Sequence, residues 1–179
     1  MNSPIITLTP NDLKNSPNIV ESCYYWISLL GLDSVIFKDA RDGSIIILVP
    51  YIDFPDIFIE FDIFGREMIF YTNTLTQVTP DDDINPFNDF LIDTLNEQSK
   101  YPQIRLSIDK QEKLTTKIYM RFRTSFLNME YVTQLLREAE SFLKDIQNFL
   151  EKYKLPEVWR ITEGEQKIPP RSQLRHDYF

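Results

Sequence analysis

The stretch from Asn128 to Lys154, NMEYVTQLLREAESFLKDIQNFLEKYK, decides the fold of this chain. Its apolar residues Val132, Leu135, Leu136, Ala139, Phe142, Leu143, Ile146, Phe149, Leu150 and Tyr153 recur in steps of three and four. At about 100° per residue they fill a stripe roughly 140° wide, and every position between them from Thr133 to Lys152 is polar or charged. Three apolar positions in seven suit a helix laid on a sheet, whereas a two-stranded coiled coil needs a narrower seam. Asn128 supplies an N-cap, the interior lacks Gly and Pro, and Pro156 prevents continuation.

The sheet that this helix requires is legible upstream. Val35-Ile36-Phe37 precedes a turn at Asp39 to Gly43, and Ser44 to Val49 follows as a strand of aliphatic residues. Ile57 to Ile63 alternates, with Ile57, Ile59, Phe61 and Ile63 on one face and Phe58, Glu60 and Asp62 on the other. Gly65 turns the chain, and Glu67 to Thr72 returns with Met68 and Phe70 against Ile69 and Tyr71. A second hairpin pairs Ile104, Leu106 and Ile108 with Ile118, Met120 and Phe122, the latter alternating with Lys117, Tyr119, Arg121 and Arg123.

Two more helices are expected. Ser16-Pro17 reads as N-cap and first residue of a helix ending near Leu30, where Gly31 takes the left-handed position. Cys23 lies on its apolar stripe with Ile19, Trp26, Ile27 and Leu30, so it reads as a core residue rather than a reactive thiol. Pro86 to Ser99 carries Phe87, Phe90, Leu91 and Leu95 on one side. The fold class is therefore α+β: an antiparallel meander plus hairpin packed by three helices, in the order α-β-β-β(-β)-α-β-β-α. Residues 1–15 read as an N-terminal arm whose Ile5 to Leu8 segment is either a short edge strand or an ordered arm, residues 16–154 as one domain, and residues 155–179 as an extended tail.

Composition narrows the function. With 19 basic and 27 acidic residues, the formal net charge of −8 argues against nonspecific binding to nucleic acid or anionic membranes. No apolar run approaches the roughly 18 residues that a membrane span requires, and no secretory leader opens the chain, so a cytoplasmic location is expected. A single cysteine excludes an internal disulfide and a multi-cysteine zinc site. The four glycines stand singly, which leaves no phosphate-binding loop or dinucleotide fingerprint. Nothing calls for a cofactor.

The order of elements resembles the fold shared by class I type III secretion chaperones and the YbjN-like family of small bacterial proteins. Asp39 to Val49 carries the likeness as an acidic-Gly turn into a strand, Ile104 to Phe122 as the second hairpin, and Met129 to Phe149 as the closing helix. The resemblance implies an α+β sandwich, often dimeric, that holds another polypeptide.

Catalytic candidates are sparse. His176 is the only histidine and lies in the tail. Asp81-Asp82-Asp83 lacks the spaced oxygens, central Gly and distal Glu of a calcium loop, and reads as a solvated run before a helix. Glu60 and Asp62, about 7 Å apart on one strand face, match the spacing of a glycosidase carboxylate pair. Cross-strand pairing of both with the Lys117, Arg121 and Arg123 stripe accounts for them without chemistry.

The functional expectation is a noncatalytic protein- or peptide-binding module, working as a homodimer. Helices on one face of the meander would leave the other apolar face either open as a contact surface or covered by the N-terminal arm or the Trp159 tail. On an open face Phe58, Phe64, Ile69, Tyr71 and Tyr119 would act as anchors, and Arg121 and Arg123 would orient an acidic segment. A regulatory or structural subunit docking through Trp159 and Pro169-Pro170 of the tail is the alternative. A hydrolase using Glu60 and Asp62 is the remote one.

Overall fold

Strand-forming runs and one strongly amphipathic helix give the chain its layers. A computed structural model describes residues 5–52, 55–73, 75–78, 101–109 and 114–153. The strands are β1 (Ile5–Leu8), β2 (Val35–Asp39), β3 (Ile45–Val49), β4 (Ile57–Phe61), β5 (Glu67–Thr72), β6 (Thr76–Val78), β7 (Leu106–Asp109) and β8 (Leu114–Arg123). The helices are α1 (Asn18–Leu29) and α2 (Met129–Tyr153), each preceded by a 3₁₀ turn, Pro10–Asn15 and Thr124–Phe126. The fold is α+β. The expected helix at residues 86–99 lies outside the described residues.

All strand pairings are antiparallel. The main sheet runs β1-β2-β3-β4-β5-β8, and β6 and β7 pair with the first half of β8. Thr116 of β8 faces both Thr76 and Ile108, so β6 and β7 must lie on opposite edges of it. β6 continues β5 after a bulge. Tyr71 stands opposite Tyr119 and Thr76 opposite Thr116, so the register shifts between the two strands. Thr72 Oγ1 fills the gap by accepting a hydrogen bond from the Ile118 N–H at 3.1 Å.

Both helices cover one face of the sheet. Val132, Leu135, Leu136, Ala139, Phe142, Leu143 and Ile146 of α2 are buried with Val20, Cys23 and Ile27 of α1. They meet Ile47, Ile59, Phe61, Met68, Phe70, Ile118 and Met120 of the strands. Asn128 caps α2 as its sequence suggests: Oδ1 accepts from the Tyr131 N–H at 2.8 Å, and its carbonyl accepts from Val132 at 3.1 Å. Gly31 closes α1 at φ 73°, its N–H donating to the Ser28 carbonyl.

Of the two readings of Ile5 to Leu8, the edge strand is the one seen: β1 pairs with β2, and the following 3₁₀ turn puts Leu13 fully into the core. The second sheet face is not left open. Phe37, Ile46, Leu48, Phe58, Ile69 and Tyr71 form a second buried cluster, each at 5% exposure or less, with Ile5 and Tyr119 packed at its margin. Leaving large apolar side chains in water costs roughly 1.5–3 kcal/mol each, which a two-sided sheet avoids only by being covered twice.

Candidate functional site

Three turns meet at one end of the sheet. The β2–β3 turn closes through Asp39 N–H to Ser44 carbonyl at 3.0 Å, and the β4–β5 turn through Asp62 N–H to Glu67 carbonyl at 3.2 Å. After β8, the Thr124 N–H donates to the Arg66 carbonyl at 2.9 Å and its hydroxyl donates to the Gly65 carbonyl. Ile63 lies so close over Gly43 that a Cβ there would sit 2.8 Å from its Cδ1. A Cβ on Gly65 would sit 2.5 Å from Pro17 at the start of α1. The turns are thus locked to one another and to the first helix.

The acidic residues at this end are occupied locally. Asp62 Oδ1 accepts from the N–H groups of Arg66 at 2.7 Å and Glu67 at 2.8 Å, holding the β4–β5 turn. Asp39 binds the Arg41 guanidinium through two short contacts, 2.7 Å and 3.1 Å. Asp42 Oδ1 accepts from the Ser44 N–H at 2.9 Å. Glu67 pairs with Arg121. What the end presents outward is apolar and basic. Phe64 is 67% exposed, Phe126 77% and Ile63 53%. The Arg66 guanidinium stands 5.2 Å over the Phe64 ring, and Arg123 is exposed opposite Glu67 in the ladder.

Behind this end, Glu60 is carried on the second face. It stands opposite Ile46 and Ile69, and its Oε2 accepts a hydrogen bond from the Tyr71 hydroxyl at 3.3 Å. Burial pushes its pKa up to about 7. The Ser44 and Tyr71 hydroxyls restrain that rise, and the charges of Asp42 and Asp39 add to it. Ser44 Oγ is itself buried without a hydrogen bond of ordinary geometry among the described residues, so it acts on Glu60 as a nearby dipole. Burial, then the charge of Glu60, raises the Tyr71 pKa as well, which keeps its hydroxyl a donor.

The carboxylate pair expected from sequence does not form. Glu60 points into the second face, while Asp62 has left the strand and holds a turn. Their expected cross-strand pairing with the basic stripe is likewise replaced. Arg121 pairs with Glu67, and Lys117 lies 5.2 Å from the Tyr119 ring centroid. The reason is strand order: β5 lies between β4 and β8, so Ile69, not Glu60, is the neighbour of Arg121 across the ladder.

The anchors expected from sequence divide in the same way. Phe58, Ile69 and Tyr71 are buried, with Phe58 stacked on Tyr71 at 5.1 Å, and Tyr119 is half-buried beside them. Phe64 and Arg123 are exposed at the turn end. Trp159, His176 and Asp81 to Asp83 lie outside the described residues. Cys23 is buried, and burial pushes its thiol up to about 12, as a core cysteine should be.

Sequence reasoning missed Phe126, Arg66 and one groove. The groove, about 800 Å³, lies along α2 and is lined by Tyr101, Met129, Glu130, Arg137 and Glu138 among others. The Tyr101 hydroxyl donates to Asp145, and the Gln103 N–H donates to Glu138 Oε1 at 2.7 Å. No signal marks it in the sequence, because the polar side of an amphipathic helix reads the same whether solvated or bonded to a loop. Among the described residues, no group of three His, Cys, Asp or Glu side chains converges to hold a metal ion, and no helix is long and apolar enough to cross a membrane.

A solved structure resembles this one: YbjN from E. coli. The two superpose with a TM-score of 0.46 and 13% identity, over 76% of this chain and 93% of YbjN. No family model and no curated protein matches the chain.

Proposed function

We propose that this protein is a noncatalytic binding module that takes an acidic, apolar-anchored segment of another polypeptide at the turn end of its sheet. The observation that carries this reading is the joined pair of turns. They hold Ile63, Phe64 and Phe126 out of the core, while Arg66 and Arg123 stand among them and the neighbouring carboxylates are already engaged. Exposed aromatic side chains on a rigid, hydrogen-bonded platform lose little entropy on contact, which makes them good anchors. Flanking arginines favour a carboxylate-bearing partner and set its orientation. In this reading Phe58, Ile69 and Tyr71 hold the second face together and do not touch the partner.

An array of acidic peptides carrying Leu or Phe tests the proposal, with neutral and basic arrays of the same apolar content alongside. Binding is measured by fluorescence anisotropy. Phe64→Ser with Phe126→Ser should weaken the best acidic peptide at least about tenfold, a loss of about 1.4 kcal/mol. Arg66→Glu with Arg123→Glu should weaken it and flatten its salt dependence. Tyr25→Ser, at an exposed site on α1, should leave binding unchanged. Equal affinity for acidic and basic arrays, or binding indifferent to the Phe64 and Phe126 changes, overturns the assignment.

A further inference from the structure

β1 is the outermost strand on one side of the sheet: among the described residues it pairs with β2 and with nothing beyond. The direction of its main-chain groups follows from the neighbouring turn. The Asp39 N–H donates to the Ser44 carbonyl, so Asp39 faces β3, and successive residues of β2 alternate. Lys38 and Ile36 therefore face β1, in hydrogen-bonded pairs with Ile6 and Leu8. That leaves the N–H and C=O groups of Ile5 and Thr7 pointing away from the sheet. The next residue of the same parity, Thr9, already gives its N–H to Asp12 Oδ2 at 2.7 Å. The open edge is thus Ile5 and Thr7, with Ile6 between them.

We propose that this edge pairs with the same edge of a second copy, antiparallel about a two-fold axis through Ile6. In that register Ile5 lies opposite Thr7 of the second copy, and Thr7 opposite its Ile5. Each pair exchanges two hydrogen bonds, so every open group on both edges is satisfied at once. Ile6 meets Ile6 of the second copy in a non-hydrogen-bonded pair, where Cα atoms approach to about 4.5 Å and side chains are nearest. Each then covers the other, which accounts for an isoleucine left 47% exposed in mid-strand.

The residue types fit. Ile5-Ile6-Thr7-Leu8 contains no charge, Gly or Pro, the devices that keep strand edges apart, and Ile and Thr favour extended backbone. At the other side of the sheet, β8 does carry such guards in Lys117, Arg121 and Arg123. Nothing charged on β1 selects a foreign strand, whereas its own copy matches it group for group. Pairing uses up the edge on both copies, so assembly stops at two. The proposal does not depend on the turn end, which β4 and β5 carry three strands in from the joint. A four-residue edge is a small contact, so the dimer is weak and concentration-dependent.

The test is the mass of the full-length protein by light scattering and sedimentation from about 5 to 500 µM, a range suited to a small interface. The unaltered chain should pass from monomer to dimer. Thr7→Pro removes an outward N–H that β2 does not use, and Ile6→Lys sets like charges across the axis. Both should remain monomeric, with urea midpoints of the dilute protein close to that of the unaltered chain. Register is read by disulfide formation with oxidised glutathione. Ile6→Cys places its thiol opposite its copy, within the Cα span of about 4.4–6.8 Å that a disulfide needs. In Thr7→Cys the two thiols are offset diagonally, with Cα atoms beyond about 7 Å. Ile6→Cys should therefore link at least about tenfold faster, and Cys23, fully buried, stays silent.

A monomer at every concentration overturns the proposal. So does a dimer that survives both Thr7→Pro and Ile6→Lys, which puts the interface elsewhere. Masses that climb past two, or equal linking at positions 6 and 7, overturn the two-fold register. If either substitution unfolds the chain, the comparison of Ile6→Cys with Thr7→Cys decides.

Discussion

Replacing Glu60 by Gln should make the protein more stable at pH 8 and nearly neutral in effect at pH 5. The reasoning starts from a carboxyl group set between Ile46 and Ile69 on a buried sheet face. Burial raises its folded-state pKa from 4.5 to about 7. Between those values the folded chain keeps the proton and the unfolded chain has lost it, so folding is favoured by protonation. That contribution is complete below pH 4.5 and disappears as pH rises through about 7, the reverse of an ordinary ion-paired carboxylate.

Converted at the free-energy equivalent of a pKa unit, ionising Glu60 should cost the wild type roughly 2–3 kcal/mol between pH 5 and pH 8. Gln keeps the carbonyl oxygen that accepts from the Tyr71 hydroxyl and carries no charge to bury. Urea unfolding at half-unit pH steps from 5 to 8, run on wild type and Glu60→Gln in parallel, isolates the group because every other titration cancels. At an m-value of about 2 kcal/mol/M, the variant's midpoint should exceed that of wild type by about 1 M more at pH 8 than at pH 5. Parallel midpoint curves across this range, or a gap that widens toward acid, would refute the placement of Glu60 in a largely desolvated site.

Four substitutions in the turns and caps extend the reasoning. Gly65→Ala should destabilise by about 2–4 kcal/mol, since its φ is +64° and the new Cβ would meet Pro17 at 2.5 Å and Ile19 at 3.0 Å. Gly31→Ala, at φ +73° with open space around it, should cost only about 1 kcal/mol, so equal urea midpoints for the two would remove the packing argument. Asp62→Ala strips the acceptor from two short backbone bonds and should lower the thermal midpoint by about 3–9 °C at pH 7. Asn128→Ala removes the α2 cap and should cost about 1 kcal/mol, read as a loss of midpoint with unchanged m.

Much of this fold was legible because its periods are strong and consistent. The stripe on α2 needs no tertiary information: Val132, Leu135, Leu136, Ala139, Phe142, Leu143 and Ile146 are buried in one cluster, and the Asn128 cap is visible as a residue type at a boundary. The alternation in β4 and β5 assigns faces correctly for the same reason, since a pleated strand leaves a side chain only two directions. β6 and the bulge before it were not legible. They depend on a register shift between Tyr71–Tyr119 and Thr76–Thr116, a property of a pair of strands and not of either one. β1 was ambiguous because four residues carry too little pattern to separate a strand from an arm.

The site was read less well, and the cause is strand order, because β5 separates Glu60 on β4 from the basic stripe on β8. Sequence spacing put Glu60, Asp62, Arg121 and Arg123 on alternating positions and invited charge pairing across strands. The ladder sets Ile69 beside Arg121 and lets the chain turn at Asp62, so one carboxylate becomes a backbone acceptor and the other a buried acid. A sheet covered on both faces then has only its edges and ends left for recognition. Here the end that joins β4 to β5 is also the end where β8 leaves the sheet, so two turns far apart in sequence present Phe64 and Phe126 together with Arg66 and Arg123. Burial of Phe58 and Tyr71 and exposure of Phe64 and Phe126 are thus two consequences of one layering. An aromatic residue on a strand of this sheet serves the fold, and one in its turns is free to serve a partner.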